Sequence, residues 1–485
     1  MVVNSSGFFL FVPIVCLLYF LLPARLRKPF LLLASYYFYM CWNAKYAVLM
    51  LLSTAVTFIS GLGIERVRTE RGRKLCLVLC FFVNLAILAF FKYGTFLSDN
   101  LERIFLLMGN PVKLRRFDVL LPVGISFYTF QALSYTADVF RGSIPAEHNF
   151  LHYALYVSFF PQLVAGPIER SGNLLRQIRV TQAFSWQRVR SGLQLMLWGY
   201  FEKMVLADRI AAIVDRVFAS YTSYGRGALI LSVFLFGIQI YCDFGGYSHI
   251  AIGAAQVLGF RLMDNFRQPY FSSSVREFWR RWHISLSSWF RDYLYIPLGG
   301  SRKGKSRQQL NLLVTFLVSG LWHGASWHYV FWGGINGILQ ILGERKDRLV
   351  RALNLELPEG GLFRILKTVV TTAFIMFTWL FFRAESMGQA ADYLHCIISG
   401  TAPGILPEGP WITRQEVYVL LPCLLLLFSV DLFHERGGSI REALSRGYRE
   451  RFLGMLLMLA LVSVIYLFGA WGYGYDKAAF IYFQF

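Results

Sequence analysis

His323 stands out because it lies where an ionisable side chain is costly. It occupies the middle of Trp322-His323-Gly324, inside an apolar run from Leu310 to Val330. A charge at mid-bilayer costs roughly 2.5 to 3.5 kcal/mol, so polar groups at that depth usually serve a cavity, a pathway or a site. Histidine is also the side chain best suited to general-base work near neutral pH. We therefore take His323 as the first candidate for chemistry, with a histidine hydrogen-bonded between helices as the alternative.

A second histidine lies in a block that mixes arginines with aromatic residues. His283 falls within WRRWHISLSSWFRDYLYIPLGG, which runs from Trp279 to Gly300, and Arg280 and Arg281 precede it. Proline, glycine and charge among aromatics indicate broken backbone, which is tolerated at membrane depth only when buried in protein or lining a cavity. We predict that His283 takes part in the same site as His323. A structural hydrogen bond to a neighbouring helix is the alternative.

The composition is that of an integral membrane protein. The 485 residues are 56% hydrophobic and 16% charged, whereas soluble domains carry about 25% charged residues. The net charge of +20 would suit a nucleic-acid binder, but the basic residues form short clusters between apolar runs, as the positive-inside rule predicts. We expect a lipid bilayer and no nucleic acid as partner. Arg25, Arg71, Lys303 and Arg441 are predicted to face the cytoplasm, and both termini the opposite side.

Apolar runs recur along nearly the whole chain. Leu310–Val330 and Phe331–Leu342 are predicted as consecutive runs, and Phe150–Leu163 is predicted to be re-entrant because it is short and ends in proline and glycine. Asp99–Arg116 mixes charged and apolar residues, which predicts an interfacial helix. The pattern predicts an all-α polytopic membrane protein with about 11–13 transmembrane or re-entrant helices around a central tunnel. The seven cysteines lie mostly in apolar runs, so we predict neither disulfides nor a metal site.

Five sequence blocks together resemble a known family. WRRWHISLSSWFRDYLYIPLGG and the later LWHGASW, from Leu321, resemble the signature of the membrane-bound O-acyltransferase family, in the bacterial branch of alginate O-acetyltransferases and teichoic-acid D-alanyltransferases. Three further blocks agree: LPVGISFYTFQALSYTADVFRG from Leu121, FFPQLVAGPIER from Phe159 and YCDFGGYSHIAIGAAQVLGF from Tyr241. The resemblance covers residues 121 to 332 densely. One departure is His249, where alginate acetyltransferases usually have aspartate.

The resemblance implies roles for individual residues. It makes His323 the essential catalytic residue and places His283 near the same tunnel. We expect four further residues to wall or support the tunnel: Trp322, Arg280, Arg281 and Asp243. The basic cluster Arg280, Arg281 and Arg291 either binds phosphates of the acyl donor or anchors helix ends to lipid. No permanently bound cofactor is expected, and the acyl donor is a thioester of coenzyme A, such as acetyl-CoA, or of an acyl carrier protein.

The last six residues, Phe480 to Phe485, read FIYFQF. The pattern Phe-x-Tyr-x-x-Phe resembles the C-terminal motif of the small accessory peptide of teichoic-acid D-alanylation, whose tyrosine carries the acyl group in transit. This likeness implies that Tyr482 accepts the acyl group. An aromatic belt at the membrane interface is the alternative.

These observations predict one integral membrane domain over residues 1–485. It divides into N-terminal spans (1–110), a catalytic core (115–345), and C-terminal spans with an acyl-accepting tail (346–485). The predicted function is transfer of an acyl group, most simply acetyl, from a cytoplasmic thioester across a bacterial cytoplasmic membrane for O-acylation of an exported cell-envelope polysaccharide. The resemblance also implies an extracytoplasmic partner with a serine-hydrolase-like domain. The alternatives are D-alanyl transfer to teichoic acid and a transporter or channel without covalent chemistry.

Overall fold

Helices form all the regular structure of the described residues. The computed structural model describes residues 1, 3–114, 121–164, 166–354, 360–400, 410–443 and 448–471, and within these ranges no strand occurs. A helix satisfies its backbone hydrogen bonds within its own segment, which is why apolar chains fold this way in lipid. The all-α prediction is confirmed.

The chain divides into two compact units. The first comprises residues 1–192 and 251–263, and the second comprises residues 193–250 and the chain from 264 onward. The helices that lie wholly in the first unit are α1 (Ser6–Leu21), α2 (Ala24–Met40), α3 (Ala44–Arg66), α4 (Glu70–Leu88), α5 (Gly94–Leu107), α6 (Ile125–Phe140), α7 (Phe150–Ser158), α8 (Phe160–Leu163) and α9 (Ser171–Arg179). A π-helical turn, Ala89–Tyr93, joins α4 to α5.

The second unit contains most of the remaining helices. Two helices belong partly to each unit, α10 (Trp186–Tyr200) and α12 (Arg226–Val257). The others are α11 (Asp208–Ala219), α13 (Val275–Arg281), α14 (Ile284–Phe290), α15 (Lys305–His323), α16 (Trp327–Ala352), α17 (Gly361–Arg383), α18 (Met387–Ser399), α19 (Arg414–Glu435), α20 (Ile440–Ala443) and α21 (Tyr448–Phe468). Two π-helical segments, Phe201–Ala207 and Arg291–Tyr295, follow α10 and α14.

Five helical stretches of the described residues are long and apolar enough to cross a membrane. They are Ala44–Arg66, Glu70–Leu107, Arg226–Val257, Gly361–Arg383 and Arg414–Glu435. Ser6–Leu21 and Phe452–Phe468 are shorter apolar helices. The polytopic class follows from these stretches, while the count of 11–13 helices, the central tunnel and the division at residues 110, 115 and 345 stay predictions.

The predicted interfacial helix does not begin at Asp99. The structure has one continuous helical stretch of 38 residues, Glu70–Leu107, that passes through the π-helical turn at Ala89–Tyr93 without ending. At 1.5 Å per residue it is about 57 Å long, whereas the hydrocarbon core is about 30 Å thick. The helix is therefore longer than the hydrocarbon core is thick. The local charge pattern from Asp99 onward does not reveal that the helix is continuous.

The run from Phe150 to Leu163 is broken at Phe159, whose ψ of 109° is not helical. The break leaves α7 with nine residues and α8 with four. A nine-residue helix is about 14 Å long and too short to cross the hydrocarbon core. This geometry fits the re-entrant prediction.

The predicted boundary between the runs Leu310–Val330 and Phe331–Leu342 is wrong. Helix α15 ends at His323, Gly324 is extended with φ −160° and ψ 149°, and Ser326 precedes the start of α16 at Trp327. His323 therefore lies at the end of a helix, beside a break in the backbone, and not within a continuous span.

Small residues bring α15 and α16 into backbone contact. A Cβ built on Gly320 would lie 2.1 Å from the carbonyl oxygen of Tyr329, and one built on Gly333 would lie 2.2 Å from that of Phe316. These distances are shorter than any van der Waals contact, so only glycine allows the approach. The first turns of α16 thereby hold the last turn of α15, which carries His323.

Candidate active site

A cavity of about 420 Å³ in the second unit brings the two candidate histidines together. Both His283 and His323 line it, and their ring centroids are 6.5 Å apart. The other lining residues come from α13, α14, the π-helical segment after α14, the following loop, α15 and α16: Arg276, Trp279, Arg280, Trp282, Leu286, Ser287, Phe290, Arg291, Tyr295, Ser301, Gln308, Leu312, Thr315, Phe316, Ser319, Gln340 and Glu344.

Aromatic rings surround His323, which is buried. Its imidazole centroid lies 4.9 Å from the Trp322 ring, 5.2 Å from the Trp332 ring and 5.4 Å from the Phe382 ring. All three contacts are edge-to-face. These rings fix the plane of the imidazole and exclude water from three sides, which strengthens electrostatic interactions at the histidine.

His283 has an unusual backbone conformation, with φ 43° and ψ 55°. A residue other than glycine in this left-handed region costs of order 1–3 kcal/mol, and such residues cluster at functional sites. Two backbone hydrogen bonds hold the turn: the Ile284 amide donates to the Asn265 carbonyl at 2.9 Å, and the Arg267 amide donates to the Arg281 carbonyl at 3.0 Å. The chain from 265 to 267 thus fixes the segment that carries His283.

Asn265 also binds the His283 ring. Its Oδ1 accepts hydrogen bonds from the Ser285 amide at 3.3 Å and the Ser285 hydroxyl at 2.9 Å, and lies 3.1 Å from His283 Nδ1. An amide N–H can only donate, so this atom is the oxygen, and His283 must donate from Nδ1. The neutral ring then has its lone pair on Nε2. The other end of the side chain, Nδ2, donates to the Ser248 hydroxyl at 3.1 Å.

No sequence pattern marks Asn265 as a site residue. It lies between the motif blocks, 18 residues before His283, in a stretch without a periodic pattern. The sequence offers one signal for this residue, an asparagine a short distance before a histidine motif. That signal does not show which side chain the asparagine binds, because the contact depends on the tertiary fold.

Exposed arginines line the same cavity as the buried histidines. Arg276, Arg280 and Arg291 are exposed. Arg276 Nη2 lies 3.8 Å from Glu344 Oε2, and Arg291 Nε lies 2.7 Å from Asp292 Oδ1. The hydrogen bond to Asp292 raises the pKa of Arg291. Arg280 forms no ion pair with any described residue, so its charge is available to an anionic ligand.

Comparison with known proteins identifies the family. The model of MBOAT, the membrane-bound O-acyltransferase family, matches residues 76–384. This chain belongs to the membrane-bound O-acyltransferase family. The family predicted from the sequence blocks is confirmed, and the chain is a multi-pass membrane O-acyltransferase. The alternative of a transporter or channel without covalent chemistry is therefore set aside.

This acyltransferase is similar to three relatives with different named activities. It is 41% identical over 395 residues to the probable alginate O-acetylase of Pseudomonas putida, covering 81% of this chain and 79% of that protein. It is 33% identical over 417 residues to the peptidoglycan O-acetyltransferase of Helicobacter pylori, covering 80% and 77%. The identity to the teichoic acid D-alanyltransferase of Streptococcus thermophilus is 25% over 281 residues, covering 54% and 68%.

Arg281 of this acyltransferase does not line the cavity, although it is adjacent to Arg280 in sequence. Its guanidinium pairs with Glu277 on the same helix and with Glu435 at the end of α19. Burial by itself raises the pKa of Glu277, but the Ser273 amide and hydroxyl and the Arg281 guanidinium bring that pKa below its ordinary value. The predicted arginine cluster is thus divided, and Arg281 joins α13 to α19.

Trp322 and Asp243 lie outside the cavity lining. Trp322 is buried, with its ring centroid 6.3 Å from that of His283. Asp243, on α12, forms an ion pair with Lys203, whose Nζ lies 2.6 Å from Asp243 Oδ1. The same Nζ lies 2.7 Å from Asp208 Oδ1. The same helix places Phe244 against the His283 ring, with centroids 4.6 Å apart. Asp243 therefore belongs to the buried network that fixes α12 behind the site.

Other histidines of the acyltransferase have structural partners. His249 Nδ1 lies 2.6 Å from Glu202 Oε2, and His148 Nε2 lies 2.8 Å from Glu65 Oε2. His328 Nδ1 donates to the Phe381 carbonyl at 3.1 Å. None of these histidines lines the cavity. Tyr482, the predicted acyl acceptor, lies outside the described residues.

Proposed function

We propose that this acyltransferase takes an acetyl group from a thioester on the cytoplasmic side of a bacterial cytoplasmic membrane and delivers it for O-acetylation of an exported cell-envelope polysaccharide. The observation that carries the proposal is a single cavity lined by two buried histidines and by exposed arginines. The relatives whose names include alginate and peptidoglycan acetylation support this substrate class.

His323 and His283 have complementary parts in the proposed reaction. One imidazole accepts the proton of the attacking hydroxyl, whose oxygen bonds to the thioester carbonyl carbon. The carbon–sulfur bond breaks, and the proton passes to the leaving thiolate. With ring centroids 6.5 Å apart, a reacting oxygen can lie about 3 Å from a nitrogen of each ring. We assign the base to His323, and we assign to His283 the part of a neutral neighbour, because a protonated ring at this distance would oppose protonation of His323.

In this proposal the acyl donor enters the cavity on the side lined by the exposed arginines. The cavity volume of about 420 Å³ is within the usual range of roughly 300 to 1,000 Å³ for small-molecule sites. Arg280 binds a phosphate of the donor, because guanidinium groups pair well with phosphate oxygens. Acetyl-CoA and an acyl carrier protein thioester both carry a phosphate on the pantetheine arm. The donor is a substrate and leaves after each turnover, so no permanent cofactor is required.

The acceptor side involves Tyr482 and a separate protein. We propose that the Tyr482 hydroxyl takes the acetyl group and passes it to an extracytoplasmic partner with a serine-hydrolase-like domain, which completes transfer to the polymer. D-alanyl transfer to teichoic acid is the second candidate, favoured by the similarity to the D-alanyltransferase of Streptococcus thermophilus. The lower identity and coverage of that relative make acetyl transfer the first choice.

The His323→Ala variant tests the proposal. Loss of a general base lowers the rate by at least ~10²-fold, so polymer acetylation should fall by that amount while the protein remains in the membrane. His395→Ala is the matched control, because His395 is exposed and outside the cavity lining. Acetyl content of the exported polymer and protein level in membranes are measured together. Wild-type acetylation in His323→Ala would refute the assignment, and loss of the protein from membranes would give His323 a structural role.

A further inference from the structure

A second cavity, of about 320 Å³, lies in the first unit, and it shares no lining residue with the histidine site. Its walls come from the first turns of α2 and α7 and from the chain after α9: Ala24, Arg25, Lys28, Pro29, Asn149, Leu151, His152 and Thr181. We propose that this cavity binds the phosphate of an anionic phospholipid head group.

The cations of this cavity are not balanced by acids. The Lys28 ammonium donates to the Arg179 carbonyl at 2.8 Å and to His152 Nε2 at 3.2 Å, which are both neutral acceptors. Since lysine can only donate, Nε2 accepts and His152 is the neutral tautomer with its proton on Nδ1. Neither Arg25 nor Lys28 forms an ion pair with a carboxylate of a described residue. The cavity therefore holds two cationic groups that an anion would complement.

The nearest carboxylate is already engaged. Glu147 is buried, accepts from Arg179 Nε at 2.8 Å and accepts from the Asn149 amide at 3.0 Å. His152 Nδ1 faces the same carboxylate at 3.9 Å. Counting Arg25, Lys28 and Arg179 against Glu147 leaves a surplus of two positive charges around the cavity. This surplus matches a phosphate, and the amides of the first turns of α2 and α7 add donors that favour anions.

The surroundings of the cavity favour a lipid over a soluble phosphate. Helix α2 becomes apolar immediately after Pro29, and Leu26, Leu33 and Phe150 expose their side chains beside the cavity-lining turns. An exposed apolar surface next to a cationic cavity suits a molecule with a charged head and acyl chains. Basic clusters at the ends of membrane helices attract anionic lipids for this reason.

The test is native mass spectrometry of the full-length protein in detergent, titrated with phosphatidylglycerol or with phosphatidylcholine of the same acyl chains. The cavity variant Arg25→Gln/Lys28→Gln should bind phosphatidylglycerol at least ~5-fold more weakly than the wild type, since each nearby cation contributes measurably to anionic-lipid affinity. The control Arg71→Gln/Lys74→Gln removes two exposed charges from the start of α4, outside the cavity lining. It should keep the wild-type preference.

Three results would overturn the proposal. They are equal losses in the two double variants, equal affinity for the two lipids, and binding of inorganic phosphate as tight as that of phosphatidylglycerol, which would make a free phosphate the ligand. If the double variant fails to fold, Arg25→Gln alone replaces it. Arg25 is exposed, so removing its charge leaves no buried group without a partner.

Discussion

Asn265 determines both the backbone turn and the ring orientation of His283. Its carbonyl and its side chain each hold one part of the segment 283–285, and Ser248 holds Asn265 in turn. A non-glycine residue with φ 43° persists only when its surroundings compensate the strain. Asn265 therefore acts on the proposed reaction through His283 as a positioning residue.

Asn265→Asp should change the pH dependence of the reaction. Burial lowers the pKa of His283, so the wild-type ring is neutral across the working pH range. An aspartate beside Nδ1 stabilises the protonated ring and raises that pKa. The loss of activity on the acid side should therefore begin at a higher pH in Asn265→Asp than in the wild type, and activity should recover as the pH rises through the new pKa of His283. Asn265→Leu, which cannot accept the hydrogen bond, should lose activity at every pH.

The check is a pH–rate profile on membranes with matched protein content. A residue that only supports the fold would lower the protein level and leave the profile in place. A profile of Asn265→Asp that superimposes on the wild type would remove Asn265 from the proposed reaction.

Tyr482→Phe separates the two interpretations of the C-terminal aromatic residues. If Tyr482 carries the acetyl group, removal of one oxygen should abolish polymer acetylation and leave insertion unchanged. If the residues form an interfacial belt, the substitution should be almost silent, because phenylalanine anchors comparably. Tyr466→Phe is the matched control, since Tyr466 on α21 is also exposed. Peptide mass spectrometry of donor-loaded enzyme should find an acetyl adduct on Tyr482 that is absent from His323→Ala.

At the scale of elements, the hairpin of α15 and α16 is the feature on which His323 depends. The two helices meet through Gly320 and Gly333, and the extended backbone at Gly324 ends α15 directly after the histidine. A Cβ on Gly324 would lie 2.1 Å from the Tyr329 ring, so this position also requires a small residue. The aromatic rings can orient His323 only while the hairpin keeps its spacing.

Gly320→Ala should destabilise the hairpin. The added methyl group would meet the Tyr329 carbonyl oxygen at 2.1 Å, and overpacking of this kind typically costs about 1–3 kcal/mol. Both the melting temperature in detergent and the activity should fall. The control is Gly343→Ala on α16, where a Cβ meets nothing within 4 Å. It should be neutral or stabilising by about 0.5–1 kcal/mol, because alanine favours helix more than glycine does. Equal melting temperatures for the two variants would contradict this account of the packing.

At the scale of the whole molecule, apolar surface and basic clusters together describe a membrane protein. Large apolar side chains are exposed on helices of both units, among them Ile59, Phe82, Leu366 and Leu425. Surface of this kind would be an aggregation liability in water, whereas in a bilayer it faces hydrocarbon. The positive-inside rule predicts that the ends of the apolar helices beside the basic clusters face the cytoplasm.

Cysteine-accessibility labelling tests the predicted orientation. Single cysteines at Arg25, Arg71, Lys303 and Arg441, in a background without native cysteines, should be labelled only by reagents that reach the cytoplasmic side. A cysteine at Ser5 should be labelled from the opposite side. Labelling of Ser5 from the cytoplasm alone would invalidate the predicted arrangement of spans.

Much of the fold was determined by the sequence alone. Helix formation and membrane insertion depend on composition summed over about 20 consecutive residues, so the recurring apolar runs predicted an all-α membrane protein, and the structure has long apolar helices such as α12. The motif blocks likewise predicted the family, which is confirmed, and indicated His283 and His323, which line one cavity. Local chemistry and recurring sequence patterns carry this kind of information.

Only the tertiary structure decided how the site is arranged. Arg280 and Arg281 are neighbours in sequence, yet one lines the cavity and the other pairs with Glu435, 154 residues away. The tautomer of His283 depends in the same way on Asn265, which the sequence pattern did not mark. The helix break after His323 depends on how closely α16 can approach α15. Each outcome depends on which distant groups meet in space, and no local propensity encodes that.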